Sequence, residues 1–417
     1  MRLFLHDNAS FIKNNFRWIG GGFLLTFFSS FGQTFFVGLS GNDLRAQFEL
    51  SAGGFGVLYM AATLASAITL PWLGRTLDVM PSWKVARFSI PLLAVACALL
   101  AFAPHVAVLA FALYLLRLFG QGMMTEIAFT ETGRWFVAAR GQAMALVALG
   151  VQFGSAVFPV AVAFLAEAGD WRLPWIASAL LLVLVGYPLI VNSLRVPRVP
   201  QPAEHHSKSA RIARDWTRGE VMRDPVFYLL LVGTLAPPFI GTTIFFHQGY
   251  LVALRGYDPL VFAAAFPVMA ATTVVFGLLC GHLVDRFGAL RLLPFFLIPL
   301  AVASMAVGLV TPVWGIYVFM FLLGISNGFT QTLLGALWPE AYGLANLGGI
   351  RAIIVSAMVL STALGPGITG ALIDLGVELP TQMLWMAGWC VLASFGLAIA
   401  ARAVWSREAY GDGKARS

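Results

Sequence analysis

The sequence predicts an all-α polytopic membrane protein, twelve membrane-spanning helices in two related six-helix halves. Three observations predict it. Of 417 residues, 59% are hydrophobic and only 11% charged, where a soluble protein carries roughly 25% charged residues, and the mean hydropathy is +0.84. Twelve apolar stretches have the length, about 20 residues, that a helix needs to cross a bilayer. Landmarks in the first six stretches recur in the second six at a fixed offset.

In chain order the predicted spans are 18–39, 52–73, 88–105, 106–128, 142–165, 174–194, 226–252, 260–280, 292–310, 312–335, 351–372 and 381–403. The first is too long and too poorly flanked for a cleaved signal peptide, so it reads as a retained helix. Cys97, Cys280 and Cys390 all fall inside spans. An odd count in apolar surroundings points to packing rather than to a disulfide framework. The organisation that follows is an N-terminal half (1–194), a linker (195–225), a C-terminal half (226–403) and a short tail (404–417).

A formal charge of +7 raises the question of a nucleic-acid partner, which its distribution answers. With both termini in the cytoplasm, the cytoplasmic segments hold 22 of the 26 Lys and Arg; Arg45, Arg172 and Arg255 are external and Arg117 is intramembrane. Asp43, Glu49, Glu167, Asp170, Asp258, Asp374 and Glu378 lie in the external loops. That asymmetry is the positive-inside rule, and it predicts a multi-pass protein of the plasma (inner) membrane with cytoplasmic termini and no nucleic-acid partner.

The linker, "RVPRVPQPAEHHSKSARIARDWTRGEVMRD", is rich in Pro, Arg and Ser, and its later part suits a short amphipathic helix on the membrane surface. His205 and His206 have no Cys or carboxylate at a metal-ligand spacing, so a solvated linker is the expectation; no metal and no cofactor is implied.

The repeat is visible at several points. "GRTLD" (74–78) recurs as "GHLVD" (281–285), Gly74 to Gly281 and Asp78 to Asp285 each being 207 positions apart, and the same shift carries Gly141 to Gly348 and Pro159 to Pro366. Two related halves of this kind are typical of secondary transporters.

Polarity within the spans follows a period of three. Spans 3, 6, 9 and 12 are almost purely apolar and are expected to face lipid. Spans 1, 4, 7 and 10 carry polar residues spaced by three and four: Thr26, Ser30 and Gln33; Tyr114, Arg117, Gln121 and Thr125; Thr243 and His247, beside Gln248; Asn327 and Gln331. On α-helices such spacing puts each set on one face, and a shared aqueous cavity between the halves accounts for all four.

Arg117 stands at the centre of span 4, about 16 Å from either end at the helical rise, too deep to snorkel. Three roles fit it: binding an anionic substrate, bracing the fold through backbone carbonyls and Gln121, or proton coupling. A planar fork of donors suits a carboxylate, so Arg117 is read as the substrate residue, with Gln33, Gln121, Asn327 and Gln331 as hydrogen-bonding partners. Those amides serve equally to join helices in lipid. Histidine is the side chain suited to carrying protons near neutral pH, so His247 is a candidate proton carrier or a helix-joining histidine. Met123, Met124, Phe35 and Phe36 read as packing, and Pro159, Pro237, Pro238 and Pro366 as helix bends.

With its twelve spans, central linker and the pattern G-x-x-x-D-R-x-G after spans 2 and 8, the chain resembles the major facilitator superfamily. The second copy of the pattern has Gly281, Asp285, Arg286 and Gly288; the first keeps Gly74 and Asp78 but has Val79 and Pro81 where the family has Arg and Gly. The resemblance implies that these residues latch the cytoplasmic side when the molecule opens outward. Glu126, Glu131, Arg134 and Arg140, with Glu340 and Arg351, are further candidates for gate ion pairs or for solvated loop charge. The stretches 119–145 and 335–352 look like bacterial monocarboxylate and oxalate/formate transporters, although span 8 lacks the arginine usual there and "RLFGQG" does not match the R-x-x-Q-G of proton-coupled drug antiporters.

No H-E-x-x-H or Walker pattern is present, which argues against a zinc protease or an ATP-driven pump. The expectation is a monomeric secondary transporter in the lipid bilayer that moves a small organic anion, a carboxylate, by alternating access coupled to a proton or counter-anion. The alternative is a proton-coupled exporter of drug-like compounds.

Overall fold

The computed structural model describes residues 2–136, 139–167, 169–196, 198, 215–343 and 345–415. His205, His206 and most of the linker lie outside the described residues. Among them every element is helical, and twelve helical spans are long and apolar enough to cross a membrane: Phe11–Leu39, Ala52–Val79, Ser82–Ala101, Val106–Trp135, Gly141–Ala166, Leu173–Leu194, Pro225–Phe246, Pro259–Phe287, Ala289–Leu309, Trp314–Tyr342, Leu347–Asp374 and Leu379–Arg407. They are numbered spans 1–12.

Several predicted ends move. Span 8 continues to Phe287, so Gly281, Asp285 and Arg286 are helical rather than in a loop. The predicted span 7 ran through His247 to 252, whereas its helix ends at Phe246. His247 sits at that break rather than well inside a span, and a separate helix, Gln248–Arg255, follows. Pro159, Pro237, Pro238 and Pro366 lie within continuous helices.

The chain forms two compact units, residues 1–50 with 58–206, and residues 51–57 with 207–417. In the first unit, span 1 packs on span 5 through small residues. A Cβ added to Gly150 would stand 2.2 Å from the Phe23 carbonyl oxygen, and the Thr26 hydroxyl donates to the Val147 carbonyl at 2.6 Å. Thr26, fully buried, therefore joins helices, while Ser30, also fully buried, only packs on span 5, where a Cβ on Gly154 would stand 2.0 Å from its Oγ. In the second unit spans 8 and 10, and spans 9 and 12, are close partners. The start of span 2 belongs to this unit: Gly53 N–H donates to Asp374 Oδ2 at 2.9 Å, and Phe55 stacks on Phe246 at 4.8 Å. Val391, Leu392, Phe395 and Ile399 on span 12 are exposed, as suits a helix facing lipid. Cys97, Cys280 and Cys390 are buried free thiols.

Each unit clasps the start of its first span to the end of its last. Arg17 donates to the Asn192 and Ser193 carbonyls at the C-terminus of span 6, where the helix dipole favours a cation. The residue 207 positions on is Asp224, which is 4% exposed and accepts two 2.7 Å bonds from Arg407 at the end of span 12. Burial pushes the Asp224 carboxyl up, but Arg407, the Val226 N–H and the Tyr342 hydroxyl outweigh it and hold the group below its ordinary range. In the linker, Arg198 lies over the Phe136 ring at 4.1 Å and its Nε donates to Asn15 Oδ1 at 3.2 Å. A short helix, Arg218–Arg223, precedes span 7 and opens with a capping box of Thr217 and Glu220.

Candidate substrate site around Arg117

Two irregular backbones face each other at mid-span in the first unit. Span 1 is α-helical to Phe28, tightens into a 3-10 turn at Ser29–Gly32, becomes extended at Gln33 (φ −80°, ψ 151°), and resumes as a helix at Thr34. Opposite, residues Leu116–Met124 of span 4 form a π-helix, a rare geometry found frequently at functional sites. The sequence reading assumed α-helical spacing here, and that assumption is corrected. Glycine permits the contact: a Cβ on Gly32 would stand 2.1 Å from the Leu116 carbonyl oxygen, and one on Gly120 would stand 2.6 Å from the Gly32 Cα.

A helix break leaves backbone carbonyls without intrahelical donors. Arg117 Nη1 donates to the Gly32 carbonyl at 3.3 Å and to Thr34 Oγ1 at 3.4 Å. Both distances exceed the usual range of about 2.7–3.2 Å. The guanidinium carbon is 5.4 Å from the centroid of the Tyr59 ring, within cation–π range, and the Tyr59 and Thr34 hydroxyls are 2.8 Å apart. Arg117 is only 4% exposed, yet among the described residues no carboxylate lies within ion-pair distance of it. Its Nε and the Gln121 Oε1 are buried without partners. A buried cation without a counter-charge costs several kcal/mol on the order-of-magnitude scale for ions removed from water, so this constellation can take an anion at a net gain.

Tyr59 and Thr34 were missed in the sequence. Tyr59 is fully buried and begins a hydroxyl series on span 2 with Thr63 and Ser66, at the same spacing of three and four that picked out spans 1, 4, 7 and 10. Of the predicted residues, Gln33 is half-buried at the break, and Gln121 is half-buried one turn from Arg117. The structure thus gathers Arg117, Gln121 and the break around Gln33 in the first unit. Asn327, half-buried, Gln331, exposed, and His247 belong to the second unit. His247 is buried, with Nε2 3.2 Å from the Pro366 carbonyl.

Twelve spans long enough to cross a membrane frame this site, and residues 22–366 match the family model of the Major Facilitator Superfamily. The chain belongs to that superfamily. It is 23% identical over 381 residues to Multidrug resistance protein 2 of Bacillus subtilis (strain 168), covering 86% of this chain and 88% of that one. Two solved structures share its fold. The nucleoside transporter NupG has a TM-score of 0.72 at 12% identity over 92% of this chain and 99% of that one. A bacterial homologue of the human lysosomal transporter Spinster, inward-facing and unoccupied, has a TM-score of 0.70 at 16% identity over 94% and 97%. The protein is therefore a transporter of small molecules rather than an enzyme.

The two copies of the superfamily's loop pattern are used differently. In the first, Arg134 at the end of span 4 bonds Asp78 Oδ1 at 2.9 Å and Glu131 Oε1 at 3.3 Å, and donates to the Leu77 carbonyl at 2.7 Å. Asp78 thus finds from span 4 the arginine that is absent at position 79. In the second, Asp285 and Arg286 are exposed, and Gly288 takes a positive φ of 82° that ends the helix. Glu340 Oε2 accepts from the Ala289 N–H at 2.8 Å, at the start of span 9. Gly74 and Gly281 are half-buried.

Proposed function

We propose that the protein is a secondary active transporter for a small organic anion, a carboxylate, with Arg117 as its anchor and Gln33 and Gln121 as orienting groups. One observation carries the reading: the guanidinium is withdrawn from water and, among the described residues, has no carboxylate partner and leaves Nε unbonded. Asn327 and Gln331 contribute from the C-terminal half as the transporter alternates its access, and His247 or a counter-anion supplies the coupling. Gly74, Asp78, Gly281, Asp285, Arg286 and Gly288 serve the cytoplasmic gate, both termini being cytoplasmic and the unit of function a monomer.

A second reading, proton-coupled export of drug-like compounds, is favoured by the likeness to Multidrug resistance protein 2 and by an aromatic run in the first unit. Phe27 and Phe31 lie 4.7 and 4.6 Å from Phe158, and Phe23 stacks with Phe27 at 6.2 Å. Half-exposed Phe23 and Phe27 suit an apolar ligand.

Thermal unfolding of the purified protein and of Arg117→Gln separates the readings, using carboxylates, phosphate, sulfate, neutral solutes and lipophilic cations. A ligand at a hundred times its Kd adds about 2.7 kcal/mol to the native state. A carboxylate that stabilises the wild type and not the variant supports the anion anchor. Stabilisation of both proteins by lipophilic cations, and of neither by anions, replaces it with the exporter.

A further inference from the structure

The guanidinium of Arg117 is held by one corner. Nη1 makes both of its hydrogen bonds, to the Gly32 carbonyl and to Thr34 Oγ1. The Tyr59 ring lies against the group, and the Tyr59 hydroxyl is bonded to the Thr34 hydroxyl, so both neighbours of the guanidinium are tied to each other. Tyr59 is 0% and Thr34 5% exposed. The opposite edge, Nε and Nη2, makes no hydrogen bond among the described residues, and Nε is buried.

A guanidinium grips two oxygens at once through either of two edges, Nη1 with Nη2 or Nε with Nη2. Here Nη1 is already engaged, and only the second edge makes no hydrogen bond among the described residues. Resting on the reading of Arg117 as the anion anchor, we infer that the carboxylate docks side-on across Nε and Nη2, and that Tyr59 and Thr34 are positioning residues that keep this edge turned toward it. The ring fixes the plane of the guanidinium; the hydroxyl pair fixes its rotation within that plane. The span 1 break supplies the third constraint, because the Gly32 carbonyl is available only where the helix is interrupted.

The inference separates lysine from arginine. An ammonium keeps the charge but has no edge, so a site that needs only positive charge accepts Arg117→Lys and a side-on site does not. It also orders the substitutions at position 59. Tyr59→Phe keeps the ring and loses the hydroxyl bond, whereas Tyr59→Leu loses both.

The test is carboxylate binding and counterflow with the full-length protein, in detergent and in proteoliposomes, using acetate, pyruvate, oxalate and benzoate, with benzamide as the neutral control. The carboxylate that binds the wild type most tightly is taken forward. Expected are loss of its binding in Arg117→Lys as complete as in Arg117→Gln, a KM raised about 3-fold in Tyr59→Phe, and one raised about 10-fold or more in Tyr59→Leu, at unchanged maximal rate. A purely structural role for Tyr59 lowers the melting temperature and the amount of active protein without moving KM, and the partial rescue by Phe would be absent. If Tyr59→Leu does not fold, Thr34→Val carries the same test with an expected rise of about 3-fold. Wild-type affinity in Arg117→Lys, or an unchanged KM in Tyr59→Leu and Thr34→Val while Arg117→Gln still abolishes binding, overturns the side-on inference and leaves the anion anchor standing. Failure of every carboxylate to bind the wild type overturns both.

Discussion

Spans 4 and 10 occupy the same place in the repeat and have opposite interiors. The positions 207 residues beyond Arg117 and Gln121 are Gly324 and Gly328. In span 4 these two positions carry the polar atoms left without partners, on a π-helix that leans on the broken span 1. In span 10 they are bare backbone in an unbroken α-helix, Trp314–Tyr342, pressed against span 8. A Cβ on Gly324 would stand 2.6 Å from the Met269 carbonyl oxygen, and one on Gly328 would stand 2.6 Å from Gly277 N and the Thr273 carbonyl oxygen. Small residues that let helix backbones approach closely are a main source of cohesion in lipid, where burial of apolar surface gives little. One copy of the repeat gives these positions to chemistry, the other to packing.

The sharpest way to break that contrast is to exchange the residues. Gly324→Arg has no room even for its Cβ, so the variant is expected not to accumulate as folded protein in the membrane, as judged by size-exclusion chromatography after extraction. Gly328→Val, which meets backbone rather than a movable side chain, is expected to cost about 3 kcal/mol, read from thermal unfolding. Tolerance of both would mean that spans 8 and 10 are not bound through this contact.

Arg117→Gln should behave in the opposite way. The ligand-free variant is expected to match the wild type within about 1 kcal/mol, because two long hydrogen bonds are offset by the burial cost of the charge. The gain on adding a hundred times the Kd of carboxylate, about 2.7 kcal/mol, is expected to vanish. If instead the ligand-free variant loses about 1.5–3 kcal/mol, the usual contribution of hydrogen bonds to a charged group, Arg117 is a brace and span 4 is structural like span 10.

The clasps that close the two halves give a smaller contrast. Asp224 and Arg407 form a pair in which the carboxylate is buried and the guanidinium about a third exposed, so Asp224→Asn is expected to cost about 1–2 kcal/mol after allowance for screening. Arg17, an exposed cation on carbonyls, is worth about 0.5 kcal/mol as Arg17→Ala. The two also differ with pH. The Asp224 carboxyl is held below its ordinary range, so its contribution is complete above the unfolded-state value of about 3.9 and is lost as pH falls through the lower folded-state value. Acid unfolding between pH 5 and 2 is therefore expected to flatten in Asp224→Asn and to be unchanged in Arg17→Ala.

What was legible in the sequence follows the same division. The twelve spans and the superfamily were readable because a bilayer imposes one length and one composition on every crossing helix, and Arg117 drew attention because a lone charge in a span is costly. Tyr59 and Thr34 were not, since a hydroxyl in an apolar run scarcely alters its hydropathy. The π-helix was illegible for a different reason. Residues 116–124 are π-helical where Gly120 meets Gly32 of span 1, and a contact between different helices is recorded by no local propensity. The break at Gln33 likewise has no proline to announce it.

The smallest effect on stability concerns the two loop patterns, and there stability and function should part. Asp78 and Arg134 are 71% and 44% exposed, and exposed pairs contribute little, so Asp78→Asn is expected to change the unfolding free energy by no more than about 0.5 kcal/mol. In the second half, Glu340 accepts from a backbone N–H at the start of span 9, and Glu340→Gln removes the charge while keeping an acceptor for that N–H, again a change of about 0.5 kcal/mol. If the patterns form the cytoplasmic gate, both variants slow the maximal rate of counterflow in proteoliposomes while leaving KM and melting temperature in place, because a latch enters the conformational step and not the binding step. Asp78→Asn should have the larger effect on rate, since its partner Arg134 also holds the Leu77 carbonyl and Glu131, and freeing Arg134 loosens the junction of spans 2 and 4 at one stroke. Unchanged rates in both would mean that the repeated G-x-x-x-D pattern serves only the placement of charge at the membrane surface.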